Sequence, residues 1–337
     1  MIISASYKTD IPTFYGEWFI NRLRAGYCKT VNSYGGQVYR VELSLKEVDG
    51  FVFWTKNIGP FLTVLAEVHE RGYPFLVQHT INGYPYQLES RVIDYSRAIS
   101  CMKRLADNYG PERLIWRYDP ILFSSLTPPD WHRRNFAALA ANLAGTTDEV
   151  VVSFAQLYKK TARNLDMAAQ ASGFNWDDHK EEDFVLKQGH LLLVDLAQIA
   201  ASHKMKLKIC SQKAFLIPGI TDEAHCIDAE RLERIAGYAF KEKKWQRGNR
   251  KECGCFASKD IGEYDTCPHG CVYCYAVYHR AAALTRFKMH DPLDEFLFPP
   301  SRQEDEKQIR KPIIQVASRT RKSNSSDGES RSTDESQ

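Results

Sequence analysis

One segment near the end of the chain, Cys253–Ala276, reads CGCFASKDIGEYDTCPHGCVYCYA and holds five of the nine cysteines. They form a C-x3-C-x2-C group and an upstream C-x-C pair, namely Cys267, Cys271 and Cys274, and Cys253 and Cys255. Thiolates at such spacing are typical of a metal or iron–sulfur site. Three thiolates are one short of the four that complete a [4Fe–4S] cluster, so the triplet predicts a cluster with one iron open to another ligand.

A zinc site is the main alternative use of these cysteines. A tetrahedral zinc ion could be held by Cys253, Cys255 and two of the other three. Zinc ribbons usually carry two C-x2-C pairs, however, and this segment contains one. A disulfide framework is not favoured, because the opening residues do not read as a signal peptide and the remaining four cysteines are scattered singly. The cysteine usage therefore predicts a reducing, cytoplasmic setting.

The run His269–Ala276, HGCVYCYA, together with the C-x3-C-x2-C spacing, resembles the cysteine motif of radical S-adenosylmethionine enzymes, especially their spore photoproduct lyase-like branch. The resemblance implies that Cys267, Cys271 and Cys274 hold a [4Fe–4S] cluster, that S-adenosylmethionine binds the open iron, and that Tyr273 lies beside it. It also implies a radical-type lyase or oxidoreductase that is reduced by a protein such as flavodoxin or ferredoxin. Two features depart from that pattern: the cysteine loop comes late in the chain, and no Gly-Gly-Glu strand is recognisable.

A second resemblance extends from Met1 to Ala276. The runs IISASYKTDIP, FWTKN and WRYDP, followed by the cysteine segment, are similar to a bacterial family of unknown function. They begin at Ile2, Phe53 and Trp116. This resemblance covers most of the chain and implies no activity.

The composition is that of a globular protein. A chain of 337 residues with 43% hydrophobic residues is long enough for one large domain or two modest ones. The apolar runs are short and interrupted by charge, so no membrane-spanning segment is predicted. The net charge of +3 is too small to indicate a nucleic-acid partner by itself.

Buried strands and amphipathic helices alternate along the chain before the cysteine segment. The predicted strands are Ile2–Ser6, Phe51–Thr55, Phe75–Thr80, Leu114–Tyr118, Val150–Phe154 and Lys206–Cys210. About six such β/α units favour parallel strands flanked by helices. We therefore predict an α/β fold, a partial or permuted TIM-like (β/α) barrel at residues 1–240. A cysteine-rich segment at 241–298 would close its mouth, and 299–337 would be a disordered tail. A flat doubly wound sheet is the alternative fold, although no GxGxxG motif supports nucleotide binding to it.

Polar side chains gather where the predicted strands end. In a parallel barrel these ends meet at one face, where function collects. The predicted catalytic residues there are Asp10, Lys56, Arg117 and Asp119, and the predicted cofactor-binding residues are Ser4, Thr55 and Asn57, with Tyr273 from the cysteine segment. Lys56 and Arg117 could hold a carboxylate or phosphate. Asp10 and Asp119 could bind hydroxyl groups, so a small-molecule or nucleotide-like substrate is expected.

Three functions remain open from the sequence. The first is a radical S-adenosylmethionine-type enzyme, as the resemblance implies. The second is a barrel hydrolase or lyase in which the cysteines only hold a structural zinc. The third is a nucleic-acid binding or repair protein, suggested by the basic run Lys241–Lys251 with Trp245 as a stacking surface, although a solvated helix face is the favoured interpretation of that run.

Overall fold

The computed structural model describes residues 1–32, 36–176, 181–240, 245–248, 250, 252–300 and 313–316. Its strands are β1 Ile2–Ala5, β2 Tyr27–Val31, β3 Val38–Glu42, β4 Gly50–Thr55, β5 Phe75–Thr80, β6 Leu114–Ile121, β7 Glu149–Phe154, β8 Lys206–Ile209, β9 Asp222–Glu223, β10 Ser258–Asp260 and β11 Ile314–Val316. Its α-helices are α1 Ile11–Phe14, α2 Gly16–Ala25, α3 Leu62–Glu70, α4 Tyr95–Tyr109, α5 Pro129–Leu143, α6 Lys159–Ser172, α7 Glu182–Ser202, α8 Ala229–Ala236 and α9 Arg280–Met289.

A parallel sheet of eight strands forms the centre of the fold, in the order β10-β1-β4-β5-β6-β7-β8-β9. The six predicted strands are all present in it, each within a few residues of its predicted bounds, and every pairing is parallel. The prediction of an α/β fold with helices between parallel strands is therefore confirmed. In the part of the chain that the structure describes, no pairing joins the edge strands β9 and β10. Closure into a barrel thus stays a prediction.

One face of the sheet is covered by α2, α3, α4, α5 and α7. Successive strand residues point to opposite faces, so residues such as Phe51, Phe53 and Trp116 share this face and are fully buried. The apolar stripe of α4, which includes Met102 and Leu105, packs onto the same core. Because these strands are buried in the core, their sequences are nearly continuous apolar runs. Those runs are the pattern from which the strands were predicted.

The other face of the sheet is partly apolar and partly polar. Its apolar residues include Ile2, Val52, Leu76, Ile115 and Val151, which pack with α8 and with the segment that leads into β10. Toward the carboxyl ends the same face becomes polar, as described below. The helix α8 and the strands β2, β9 and β10 were not predicted from the sequence, because each is short and β10 lies inside the cysteine-rich segment.

The boundaries of the predicted segments remain predictions, but β10 bears on them. It pairs with β1, so a strand from the predicted cysteine-rich segment belongs to the main sheet. Of the predicted tail, residues 301–312 and 317–337 lie outside the described residues, and β11 pairs with β3. Of the basic run at 241–251, residues 241–244, 249 and 251 likewise lie outside the described residues.

Among the described residues, one helix, α7, is long and apolar enough by composition to cross a membrane. Its residues Leu192, Leu193, Leu196 and Ala200 are fully buried in the main core. It packs against α5 and β8. We therefore interpret α7 as a core helix, and the cytoplasmic location stays a prediction.

Candidate functional site

The three cysteines of the C-x3-C-x2-C group lie on one turn beyond β10, which packs against the loop that follows β5. The Val272 N–H donates to the Leu88 carbonyl at 3.1 Å, and the Arg91 N–H donates to the His269 carbonyl at 3.1 Å. Gly270 has a φ of 73°, the left-handed region that a residue without a Cβ adopts at little cost. The turn thus has a defined backbone path across the carboxyl ends of the central strands.

Polar hydrogens of the turn lie beside its sulfur atoms. The Ala276 N–H donates to the Cys274 sulfur at 3.4 Å. The His269 backbone N–H lies beside the Cys267 sulfur, and Tyr273 lies beside the Cys271 sulfur while its hydroxyl donates to Glu89. Donors to sulfur stabilise thiolate ligands and tune the potential of an iron–sulfur cluster. The three thiols and their donors therefore suit a thiolate-ligated group.

Asp10 and His269 tie the cysteine turn to the N-terminus of α1, where Asp10 is the N-cap residue. The Asp10 carboxylate lies 2.7 Å from the His269 Nε2 and accepts the Lys56 N–H at 2.8 Å. Burial alone would raise the pKa of Asp10, but the hydrogen bond and charge interaction with His269, together with the donated N–H groups, hold that pKa below its usual value. Asp10 is therefore an anchor for the turn, while the nearby Lys8 faces Asp260 rather than Asp10.

Lys56 forms a buried ion pair with Glu89, with 2.8 Å between Nζ and Oε1. The Tyr273 hydroxyl donates to the same carboxylate, and the Asn82 side chain donates to it at 3.2 Å. Burial raises the pKa of Glu89, but the Lys56 ammonium and these hydrogen bonds more than offset it, so the pKa lies below its usual value. Lys56 also faces Cys271, so its positive charge would partly balance a thiolate there.

Arg117 and Asp119 pair with each other on β6. Arg117 Nε lies 3.1 Å from Asp119 Oδ2, and the Ser153 hydroxyl donates to the other carboxylate oxygen. A second guanidinium nitrogen donates to Gln78 Oε1 at 3.3 Å. Arg117 is 4% exposed and fully satisfied by these partners, so it is not a free anion-binding fork.

The predicted cofactor-binding residues mostly support the backbone around the site. Ser4 donates to Asp260 at 2.8 Å and accepts the Trp54 indole N–H at 3.1 Å. The Thr55 hydroxyl accepts the Asn57 N–H at 2.9 Å, and Asn57 Oδ1 accepts the Gly59 N–H at 3.1 Å. These bonds hold the β4–α3 turn. Tyr273, by contrast, lies in the contact between the turn and Glu89.

Cys253 and Cys255 lie in a different apolar cluster from the C-x3-C-x2-C group. Cys271 and Cys274 pack with α6 and the loop after β5, whereas Cys253 and Cys255 pack beside the second face of the sheet. The structure thus separates the five cysteines that the sequence grouped. Among all described residues, no set of three or more His, Cys, Asp or Glu side chains stands ready as a metal site.

Sequence reasoning missed two polar residues of this site. Asn82 lies two residues beyond β5, so a wider search at the strand ends would have included it. Glu89 lies in the long loop between β5 and α4, where no periodicity or motif marks it. Only the cross-chain contacts with Lys56 and Tyr273 reveal it.

Residues 2–276 match a family described as a domain of unknown function, DUF1848. The match covers most of the chain, and the chain therefore belongs to this family. The sequence resemblance to a bacterial family of unknown function is confirmed to that extent. Comparison with curated proteins gives no match.

Proposed function

We propose that this member of the DUF1848 family is a radical S-adenosylmethionine-type iron–sulfur enzyme, with its cluster on the turn from Cys267 to Cys274. The observation that carries the proposal is the arrangement of the turn: three thiols on one short turn, with polar hydrogens beside their sulfur atoms, lie over buried polar side chains at the carboxyl ends of parallel strands. This is the edge of an α/β sheet at which ligands bind. A barrel-like curvature of the sheet would enclose that edge further.

Cys267, Cys271 and Cys274 would hold the cluster. When bound, a [4Fe–4S] cluster with an open iron supplies one electron for cleavage of S-adenosylmethionine. The chain's own residues position the turn and neutralise its charge. His269 is held by Asp10, while Lys56 places a positive charge beside Cys271.

The substrate would lie between the turn and the strand ends. Arg117 and Asp119 lie there as a pair rather than as separate ions, so a substrate would meet a dipolar group together with the Ser153 hydroxyl. Such a surface suits hydroxyl and amide groups of a small, nucleotide-like molecule. The predicted catalytic roles of Asp10 and Lys56 are better described as positioning.

Metal analysis of protein purified without oxygen tests the proposal. We expect about four irons and as many sulfides per chain. Reduction should produce an electron paramagnetic resonance signal that shifts when S-adenosylmethionine is added. Zinc in place of iron on this turn, or a signal indifferent to S-adenosylmethionine, would contradict the proposal.

Three variants locate the cluster. Cys267→Ala, Cys271→Ala and Cys274→Ala should each lose the iron signal. Cys101→Ala is the matched control, because Cys101 lies on α4, away from both groups of cysteines. Iron retained by all three cysteine variants would place the cluster elsewhere.

A further inference from the structure

Four cysteines come together on the second face of the sheet, away from the C-x3-C-x2-C turn. Cys210 follows β8, Cys226 follows β9, and Cys253 and Cys255 precede β10. The sulfurs of Cys210 and Cys226 are 3.5 Å apart. The Cys226 and Cys253 thiols each lie beside the Cys255 thiol, in one apolar cluster that also contains Cys210. The four thiols thus form a continuous chain of contacts, although the sequence scatters them over three segments.

Donors to sulfur surround this group as well. The Ile227 N–H donates to the Cys255 sulfur at 3.3 Å. Arg117 donates from Nη1 to the Cys226 sulfur at 2.9 Å. Backbone N–H groups and a buried cation directed at sulfur are the outer-shell partners that orient and stabilise thiolate ligands.

The C-x-C pair is also tightly packed where it meets the neighbouring strand. A Cβ on Gly254 would lie 2.9 Å from Glu223 Oε1 and 3.0 Å from His225 Cδ2. The C-x-C pair therefore lies directly against the side chains that end β9 and follow it. The pair is built into the fold at this place.

We propose that Cys210, Cys226, Cys253 and Cys255 bind a structural zinc ion. Four thiolates at about 2.3 Å from one zinc lie roughly 3.8 Å from one another, close to the sulfur separation that Cys210 and Cys226 already have. The thiolates that bind a cubane cluster are held apart from one another by the cluster. Thiols in direct contact with one another therefore suit a single metal ion better. Because the contacts run as a chain, Cys210 and Cys253 must rotate toward each other to complete the tetrahedron.

The position of the site indicates that the ion would stabilise the edges of the sheet. Cys226 lies shortly after the edge strand β9, and Cys255 lies shortly before the edge strand β10. One ion would therefore link the two ends of the sheet. Arg117 would balance part of the negative charge of four thiolates and would couple the site to Asp119.

The zinc proposal does not rest on the proposed function, because the two sites share no cysteine. Metal content of matched variants separates them. Cys226→Ser and Cys255→Ser should lose about one zinc per chain and keep the iron. Cys267→Ala should lose iron and keep the zinc, and Cys101→Ser should keep both.

A second measurement does not depend on a variant that folds. X-ray absorption at the zinc edge of the unmodified full chain reports the ligands of the ion directly. We expect four sulfur neighbours at about 2.3 Å. Replacement of zinc by Co²⁺ should give the sulfur-to-cobalt charge-transfer bands of a tetrahedral tetrathiolate site, absent from the Cys226→Ser protein. Zinc that survives both serine substitutions, a Cys210–Cys226 disulfide in the purified protein, or a second iron–sulfur cluster at these four residues would overturn the proposal.

Discussion

His79 is a buried imidazole at the end of β5 that lacks hydrogen-bond partners at both ring nitrogens. It is fully buried, and it faces Asp10 and Lys56 across the strand ends. Burial lowers its pKa to about 4, because the imidazolium ion would be deprived of water. His79 is therefore a neutral histidine at physiological pH, among the buried polar side chains beneath the cysteine turn.

This histidine should make stability depend on pH. The unfolded state takes up a proton as the pH falls below about 6.5, whereas folded His79 stays neutral down to about pH 4. Its contribution is thus complete above pH 6.5 and is lost between pH 6.5 and 4, by roughly 3 kcal/mol. His132, also buried with its pKa lowered to about 4, adds to the loss in the same range.

Denaturant unfolding at pH 7.5 and pH 5 checks this for the wild type, His79→Gln and the exposed control His69→Gln. We expect His79→Gln to lose a substantial part of the pH dependence and His69→Gln to keep it. An unchanged pH dependence in His79→Gln would show that the pKa of His79 is the same in the folded and unfolded states.

The buried pair Lys56–Glu89 should tolerate loss of both charges better than loss of one. Lys56→Met or Glu89→Leu alone leaves an unpaired buried charge, which costs about 3–5 kcal/mol of unfolding free energy. The double variant removes both charges, so we expect it to be more stable than either single variant. A double-mutant cycle by denaturant unfolding measures this, and strictly additive losses would contradict a coupled pair.

At the level of elements, the segment from β10 to α9 depends on close backbone approach. Asp260 accepts hydrogen bonds from Ser4 and Ser6 at 2.8 Å each. A Cβ on Gly262 would lie 2.0 Å from the Ser6 Oγ and 2.5 Å from its Cβ. The cysteine turn therefore begins at a point where the chain presses against the residues that follow β1.

Gly262→Ala should displace the start of the turn without touching a cysteine. We expect a loss of about 1–3 kcal/mol of unfolding free energy, as for other overpacked sites, together with lower iron occupancy. Gly26→Asn is the control, because Gly26 has a φ of 81° with no atom within 4 Å of the added Cβ, and asparagine tolerates that conformation. Equal stability and iron content in wild type and Gly262→Ala would argue against this constraint.

Across the whole molecule, the strands differ in how firmly they are held. The central strands β4 to β7 are paired on both sides and buried on both faces, whereas the edge strands β9 and β10 have two and three residues. Local opening follows such differences in pairing and burial. The edges are also the strands that the proposed zinc site would join.

Hydrogen exchange followed by mass spectrometry should reveal this gradient. We expect the slowest exchange in β5 and β6 and faster exchange in β9 and β10. Removal of zinc with a chelator should accelerate exchange at β9 and β10 while leaving β5 unchanged as the internal control. A uniform acceleration across all strands would mean that the ion stabilises the fold as a whole rather than its edges.

Local pattern was enough to predict the order of the central strands and helices, the parallel sheet, and the turn that bears Cys267, Cys271 and Cys274. These features depend on residue spacing within one segment, where burial on a strand or helix leaves a periodic trace. The pairing of Lys56 with Glu89, the anchoring of His269 by Asp10, and the gathering of Cys210 and Cys226 with Cys253 and Cys255 emerged only in three dimensions. Strand order and the crossovers between parallel strands bring those residues together, and no spacing along the chain records that juxtaposition.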